Sequence, residues 1–147
     1  MERNEGSETS QRRISSFDNC LRLLHHNTIL RTDFKVDERK AKSWFESLAS
    51  AVEFMHARGV AHNDIKPANI LLSASKTPIL VDFGFSERYE LGSADAFRSS
   101  LAYGTPEYLS PERAKGQLHN TRKSDVWSLG VTFFEIIMAR TPFENDK

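Results

Sequence analysis

The centre of this chain reads His62-Asn63-Asp64-Ile65-Lys66-Pro67-Ala68-Asn69, and Val81-Asp82-Phe83-Gly84 follows a short distance later. Between these two stretches, the apolar runs Ile70–Leu72 and Ile79–Val81 flank a polar segment, which predicts a small β-hairpin. The strands of such a hairpin bracket the two stretches. We therefore expect residues 62–69 and 81–84 to form neighbouring loops.

Four side chains of these loops carry chemistry. Asp64 can accept the proton of a substrate hydroxyl and orient that hydroxyl for attack. Lys66 can neutralise charge that develops on a transferred phosphate. Asn69 and Asp82 offer the oxygen ligands that Mg²⁺ prefers. A single Asp or Lys in a loop is usually solvated surface, but this combination predicts transfer of a phosphoryl group from a magnesium nucleotide to a hydroxyl.

A third stretch reads Tyr103-Gly104-Thr105-Pro106-Glu107-Tyr108-Leu109-Ser110-Pro111-Glu112. The three stretches, in this order, resemble the catalytic loop, the metal-binding loop and the substrate-side end of the activation segment of eukaryotic protein kinases. The resemblance covers about residues 14–147. It implies a serine/threonine protein kinase that uses ATP and Mg²⁺ and acts on Ser or Thr hydroxyls of protein substrates.

The resemblance also implies a role for each matched residue. Asp64 would be the catalytic base, and Thr105 the hydroxyl that bridges this base and Lys66. Lys66 would also contact the nucleotide phosphates, and Asn69 and Asp82 would hold the metal. In this family, Lys66 and Thr105 at these positions accompany Ser/Thr specificity.

Further matched positions have supporting roles in the family. Leu71 would form the floor under the adenine ring. His62 and Phe83 would stack between the two loops, which agrees with the simpler interpretation of His62 as a buried, hydrogen-bonded histidine. Asp125 would hold the backbone of the catalytic loop.

Asn63 departs from the family pattern, because most members have Arg before the catalytic Asp. That Arg usually pairs with a phosphorylated residue of the activation loop, and Asn cannot supply this charge-assisted contact. We therefore expect activity that does not depend on such phosphorylation through residue 63. On the sequence alone, Asn63→Arg should change basal activity little.

Two other functions compete with the kinase hypothesis. A non-catalytic, pseudokinase-like interaction module would tolerate the missing parts described below, but the intact set of Asp64, Lys66, Asn69 and Asp82 argues against it. A small-molecule phosphotransferase can share the His-x-Asp loop and the downstream metal Asp. The stretch from residue 104 to residue 112 argues against this second rival, because it resembles a loop that docks peptides.

Composition limits the class of protein. The 147 residues suit one domain, and 20 Lys+Arg balance 20 Asp+Glu, so the basic excess of a nucleic-acid binder is missing. The single Cys20 cannot form an internal disulfide, which favours a reducing compartment. The chain shows no targeting segment, and the apolar stretch from Val126 to Ala139 is too short to cross a bilayer. We expect an intracellular protein of the cytoplasm or nucleus, without a membrane partner.

Periodicity predicts the helices. Residues 1–13 have the composition of a disordered leader or of sequence left behind by a truncation, and residues 14–24 have the spacing of a short amphipathic helix. Residues 25–36 are predicted to be a loop. Asp37 can cap a helix whose apolar stripe continues to Met55 and which ends near Gly59. A last helix, from Asp125 to Ala139 with Ser124 as its cap, is apolar on nearly every face and should be buried.

The expected fold is mainly α: a partial protein-kinase-like C-lobe of helices plus a small β-hairpin, formed by residues 14–147. Gly6 is the only glycine before Gly59, so no Gly-rich nucleotide loop precedes the catalytic loop. The β-rich upper lobe and the last helices of a kinase domain are expected to be absent from this chain. Loss of the upper lobe would expose the nucleotide site to water, which predicts weak ATP binding by the chain alone.

Overall fold

The structure is a computed structural model that describes residues 28–29 and 36–143. The predicted leader at residues 1–13 and the predicted helix at residues 14–24 lie outside this part of the chain. The described helices are α1 (Glu38–His56), α2 (Pro111–Ala114) and α3 (Thr121–Met138), with single 3₁₀ turns at Pro67–Asn69 and Pro106–Tyr108. The strands are β1 (Thr28–Ile29), β2 (Val60–Ala61), β3 (Ile70–Leu72), β4 (Pro78–Leu80), β5 (Glu87–Arg88), β6 (Arg98–Ser99) and β7 (His119–Asn120).

Helix α1 confirms its sequence prediction at both ends. The Asp37 carboxylate accepts hydrogen bonds from the backbone amides of Arg39 and Lys40 at 3.1 and 3.3 Å. This N-cap satisfies two of the amides that a helix start leaves without partners. The helix ends at His56, and Gly59 then takes a left-handed φ of +76°. Glycine adopts this conformation without the steric penalty that a Cβ would bring.

The predicted hairpin is confirmed, although its second strand begins one residue early. β3 and β4 pair in antiparallel register, with Leu71 opposite Ile79. β1 pairs with the other edge of β3, so β3 is the central strand of a sheet with the order β1-β3-β4. The prediction of a loop over residues 25–36 was therefore wrong at Thr28 and Ile29, because a two-residue strand is too short to show an alternating pattern.

Two further antiparallel pairs hold the long segment that follows the second loop. β5 pairs with β2, which leads directly into residues 62–69. β6 pairs with β7, which leads directly into α3. These strand pairs thus join the segment of residues 82–113 to β2, which follows α1, and to β7, which precedes α3.

The last long helix begins one turn earlier than predicted. Asn120, rather than Ser124, is the N-cap, and its side chain accepts hydrogen bonds from two first-turn amides at 3.0 and 3.3 Å. Thr121 is therefore the first helical residue. Ser124 is instead buried, and its hydroxyl lies 3.0 Å from that of Ser110. Asn and Ser are comparable N-caps, so local sequence could not distinguish them.

The prediction that α3 is buried on nearly every face was also wrong. Val131 and Ile136 are buried, whereas Val126 and Met138 are 59% and 40% exposed. Helix α1 packs against α3, and Leu129 and Ile136 of α3 share a core with its side chains. The apolar side chains on the other side of α3 are consequently open to solvent within the described part of the chain.

The core lies between the two long helices and extends beneath the first loop. Its buried members come from α1, α3, β3 and the loop itself: Ala41, Trp44, Leu48, Val52, Ile65, Ile70, Leu129 and Ile136. Each buried aliphatic side chain of this kind contributes about 1.5–3 kcal/mol. Because Ile65 is fully buried, the loop that carries Asp64 and Lys66 is fixed to the core. The described fold is mainly α with small antiparallel strand pairs, as expected.

Candidate active site

The two loops meet through backbone and ring contacts, as the hairpin predicted. The backbone amide of Val81 donates to the carbonyl oxygen of Asn69 at 2.9 Å. His62 reaches across as well, with Nε2 3.0 Å from the carbonyl oxygen of Val81 and a ring centroid 5.0 Å from that of Phe83. These protein contacts alone therefore hold the two loops in one position relative to each other.

These contacts also determine the protonation of His62. Since a carbonyl oxygen can only accept, Nε2 carries the hydrogen, and Nδ1 can accept the backbone amide of Asp64 at 3.2 Å. Burial lowers the pKa of His62 below its ordinary value, although the Val81 carbonyl and nearby carboxylates act in the opposite direction. A neutral His62 therefore orients the backbone of Asp64.

Asp64 is buried, and both of its carboxylate oxygens have partners. Oδ1 accepts the Thr105 hydroxyl at 2.7 Å. Oδ2 accepts the Asn69 amide at 3.0 Å and lies 3.2 Å from the Lys66 ammonium. Burial alone would raise the pKa of Asp64, but the hydrogen bonds from Thr105, Lys66 and Asn69, with the charge of Lys66, outweigh burial and lower this pKa. Asp64 is thus an ionised, oriented acceptor.

Thr105 links the cation to the carboxylate. The Lys66 ammonium donates to Thr105 Oγ1 at 2.6 Å, and the same hydroxyl donates to Asp64. Gly104 permits this close approach: it has a φ of +128°, and a Cβ there would lie 3.1 Å from the carbonyl oxygen of Asn63 and 2.9 Å from Leu109 Cδ2. The third stretch of sequence therefore packs directly on the first.

Helix α3 anchors both of these segments. The fully buried Asp125 carboxylate accepts the backbone amides of His62 and Asn63 at 2.9 and 2.8 Å. The hydroxyl of Ser128, one turn further on, donates to the carbonyl oxygen of Tyr108 at 2.6 Å. One helix thus sets the distance between the loop of Asp64 and the turn that follows Thr105.

Asn69 and Asp82 suit a magnesium ion by the chemistry of their donors. The amide nitrogen of Asn69 donates to the carbonyl oxygen and the carboxylate of Asp64, which leaves its side-chain oxygen as an acceptor. Asp82 is exposed, and one of its oxygens accepts the Gly84 amide at 3.2 Å. Residues 28–29 and 36–143 contain no cluster of three His, Cys, Asp or Glu side chains that could form a complete cage. Two protein oxygens suit Mg²⁺, which retains several waters or phosphate oxygens.

Leu71 lies apart from this hydrogen-bonded group. It is buried in β3, two residues after Asn69, and pairs with Ile79 of β4. The structure therefore brings together Asp64, Lys66, Asn69 and Thr105, and joins the loop of Asp82 to them.

Sequence reasoning overlooked a second group of polar residues beside this site. The Tyr108 hydroxyl donates to the Glu135 carboxylate, and burial together with Glu135 raises the pKa of Tyr108. Arg113 and Glu87 surround Asn63, the residue before Asp64. Nothing in the local sequence pattern distinguishes these residues from ordinary surface charges, since their partners lie far away in the chain.

Within the described parts of the chain, neither long helix has the combination of length and apolarity that crossing a membrane requires.

Comparison with known proteins agrees with the geometry of the site. The family model of the protein kinase domain matches residues 8–147. The chain is 38% identical over 111 residues to "CBL-interacting protein kinase 28" of Oryza sativa subsp. japonica, which covers 76% of this chain and 25% of that protein. It is 36% identical over 112 residues to "Serine/threonine-protein kinase kin-29" of Caenorhabditis elegans (76% of this chain, 13% of that protein). "Aurora kinase A-B" of Xenopus laevis is also 36% identical over 112 residues, with 76% and 26% covered.

The chain spans about a quarter or less of the length of these relatives. The match nevertheless includes all three stretches that form the site, from the loop of Asp64 to the turn that follows Thr105. On these grounds, the chain belongs to the protein kinase family.

Proposed function

We propose that the full-length protein carrying this chain is a serine/threonine protein kinase. It transfers the γ-phosphoryl group of ATP to Ser or Thr hydroxyls of protein substrates. The observation that carries this proposal is the chain of contacts from Lys66 through the Thr105 hydroxyl to the Asp64 carboxylate, at 2.6 and 2.7 Å. It combines a cation for the phosphate with an acceptor for the proton of the attacking hydroxyl.

The reaction forms a bond between the substrate oxygen and the γ-phosphorus and breaks the bond between that phosphorus and ADP. Asp64 orients the substrate hydroxyl and takes up its proton. Lys66 offsets negative charge on the transferred group. Asn69 and Asp82 would hold Mg²⁺, which supplies charge neutralisation at the phosphate oxygens. In the same assignment, Leu71 lies under the adenine ring.

Specificity for Ser and Thr rests on Lys66 and Thr105. Because Thr105 belongs to the segment that would dock a peptide, the position of the acceptor hydroxyl relative to Asp64 depends on that segment. The binding energy of the peptide then contributes to orientation at the reacting atoms.

We also infer that residues 14–147 are part of one catalytic domain. The single cysteine, which cannot form an internal disulfide, supports a place inside the cell, in the cytoplasm or the nucleus.

The test is transfer of labelled phosphate from Mg-ATP to a mixture of Ser-, Thr- and Tyr-containing peptides by the full-length protein. Asp64→Asn should lower kcat by about 10²–10⁴-fold, the usual contribution of a general base. Asp95→Asn, at an exposed loop carboxylate, is the matched control and should retain activity. Folded protein that transfers no phosphate to any peptide would overturn the proposal in favour of a non-catalytic module. Transfer only to small-molecule hydroxyls would indicate a small-molecule phosphotransferase instead.

A further inference from the structure

Asn63 lies at the centre of a buried polar cluster next to Asp64. Its side chain is 2% exposed, and its φ of +69° is one that Asn tolerates better than most residues. The amide nitrogen donates to the carbonyl oxygen of Phe85 at 3.0 Å and to the Glu87 carboxylate at 3.1 Å. The side-chain oxygen accepts the Arg113 guanidinium at 3.1 Å. Both donor hydrogens and the acceptor of Asn63 are therefore engaged.

Arg113 is the cation of this cluster and is buried to the same degree as Asn63, at 2% exposure. Its guanidinium carbon lies 5.1 Å from the centre of the Tyr103 ring, and its Nε has no hydrogen-bond partner. Burial lowers the pKa of Arg113, whereas the charges of Asp125 and Glu87 act in the opposite direction. A guanidinium buried in this way needs nearby negative charge to remain stable.

Glu87 supplies negative charge from the other side of Asn63. Its carboxylate accepts the Asn63 amide and also the Tyr89 hydroxyl, the latter at 2.6 Å. Since Glu87 belongs to β5, it follows directly from the loop of Asp82. Arg113 belongs to α2, at the far end of the activation segment. The cluster therefore ties both ends of residues 85–113 to the residue before Asp64.

We propose that Arg113 and Glu87 are positioning residues that clamp Asn63, and through its backbone Asp64, so that the activation segment keeps its working conformation without an added phosphate. This inference rests on the proposed function. A phosphoryl group orders such a segment by giving an arginine cluster an anion to bind. Here Arg113 is already bonded to Asn63, and the Glu87 carboxylate is already in place.

The clamp alters the expectation for Asn63→Arg that the sequence suggested. A second guanidinium at residue 63 would enter a buried site beside Arg113 and would lose the acceptor that Arg113 uses. Like charges at close range in a buried site repel strongly. We now expect Asn63→Arg to lower activity, rather than leave it unchanged.

The experiment is a double-mutant cycle on the full-length protein with Asn63→Arg, Arg113→Leu and the two combined. Each single variant should lower kcat by up to about 100-fold, the loss that a misplacement of about 1 Å causes. The combined variant has one cation beside Glu87 again and should recover part of that loss. Arg39→Leu, at an exposed arginine of α1, is the matched control and should behave as the unsubstituted protein.

Two further variants distinguish positioning from a general loss of stability. Arg113→Lys keeps the positive charge and a nitrogen that can donate to Asn63, and it should restore part of the kcat lost in Arg113→Leu. Glu87→Gln should lower kcat and leave the KM for ATP unchanged, with Glu90→Gln as its exposed control. Losses that are purely additive in the cycle would overturn the clamp, and so would effects on the KM for ATP alone.

Phosphatase treatment tests the inference that the activation segment keeps its working conformation without an added phosphate. Activity of the treated protein should stay within about twofold of the untreated protein, whereas dependence on an ordering phosphate would lower it by about tenfold or more and overturn the inference. The thermal unfolding temperatures of the same four-member cycle provide a separate readout. If the unsubstituted protein transfers no phosphate, the proposed function fails, and non-additive unfolding temperatures would still support the clamp itself.

Discussion

The carboxylate of Asp125 accepts a hydrogen bond from the backbone amide of His62 at 2.9 Å, across 63 positions of sequence. The same side chain also binds the amide of Asn63 and lies 2.8 Å from His56 Nε2 at the end of α1. One buried carboxylate thus joins both long helices to the start of the loop that carries Asp64. The position of Asp64, the candidate base, therefore depends on a residue of α3, a helix that lies much later in the sequence.

Replacing Asp125 should therefore damage the fold as well as the site. Asp125→Ala leaves two buried amides and His56 without their acceptor, and we expect a loss of about 3–5 kcal/mol in the free energy of unfolding. Denaturation by urea, followed by the fluorescence of Trp44 and Trp127, measures this loss. Lys123→Ala, at an exposed position of the same helix, should change the same quantity by less than about 0.5 kcal/mol. Equal effects of the two substitutions would contradict the anchoring role.

The hydroxyl group of Thr105 should contribute more to kcat than the shape of its side chain does. Thr105→Val removes the bridge between Lys66 and Asp64 but keeps the volume of the side chain. A hydrogen bond to a charged group contributes about 1.5–3 kcal/mol, so kcat should fall by roughly 10- to 150-fold. Thr105→Ser keeps the hydroxyl and should retain most of the activity. A serine variant as impaired as the valine variant would show that the methyl group, and not the bridge, is required.

Gly59 should tolerate no side chain, because the backbone of Tyr89, directly after β5, passes too close. A Cβ at residue 59 would lie 2.3 Å from the carbonyl oxygen of Tyr89, whereas a Cβ at Gly92 would meet nothing within 4 Å. Both glycines have left-handed φ values, so each Gly→Ala change costs about 1–2 kcal/mol for conformation alone. Unfolding measurements should find Gly59→Ala clearly less stable than Gly92→Ala. Similar losses at the two positions would indicate that the backbone of residue 89 moves away easily.

Tyr89 should make stability depend on pH in the alkaline range. Burial and the hydrogen bond to Glu87 raise its pKa from 10.0 to about 12. A raised pKa in the folded state adds stability below pH 10, and this stability is lost as the pH rises through 10 towards 12. Tyr89→Phe should therefore be less stable than the unsubstituted protein by about 1–3 kcal/mol at pH 7. The difference in the free energy of unfolding between the variant and the unsubstituted protein should narrow above pH 10. A difference that does not change with pH would contradict the raised pKa of Tyr89.

Predictions from sequence succeeded where a structure depends on neighbouring residues. The cap at Asp37, the stripe of α1 and the hairpin of β3 and β4 all follow from contacts within a few positions. The start of α3 was predicted one turn late because Asn120 and Ser124 are equally good caps. The choice between them depends on β7, whose pairing with β6 directs the chain into the helix at Thr121.

The sequence by itself determined the prediction of the chemistry: the order and spacing of Asp64, Lys66, Asn69 and Asp82 predict phosphoryl transfer before any coordinates are known. Only the tertiary structure decided which groups from distant parts of the chain contact the loops that carry these side chains. The family resemblance already implied the contact of Thr105 with Asp64, 41 positions away, but no sequence pattern indicated that Arg113 donates to Asn63 from 50 positions away. Local patterns specify helices and strands because those form through short-range hydrogen bonds. Contacts between remote side chains depend instead on how the core of α1 and α3 brings their backbones together.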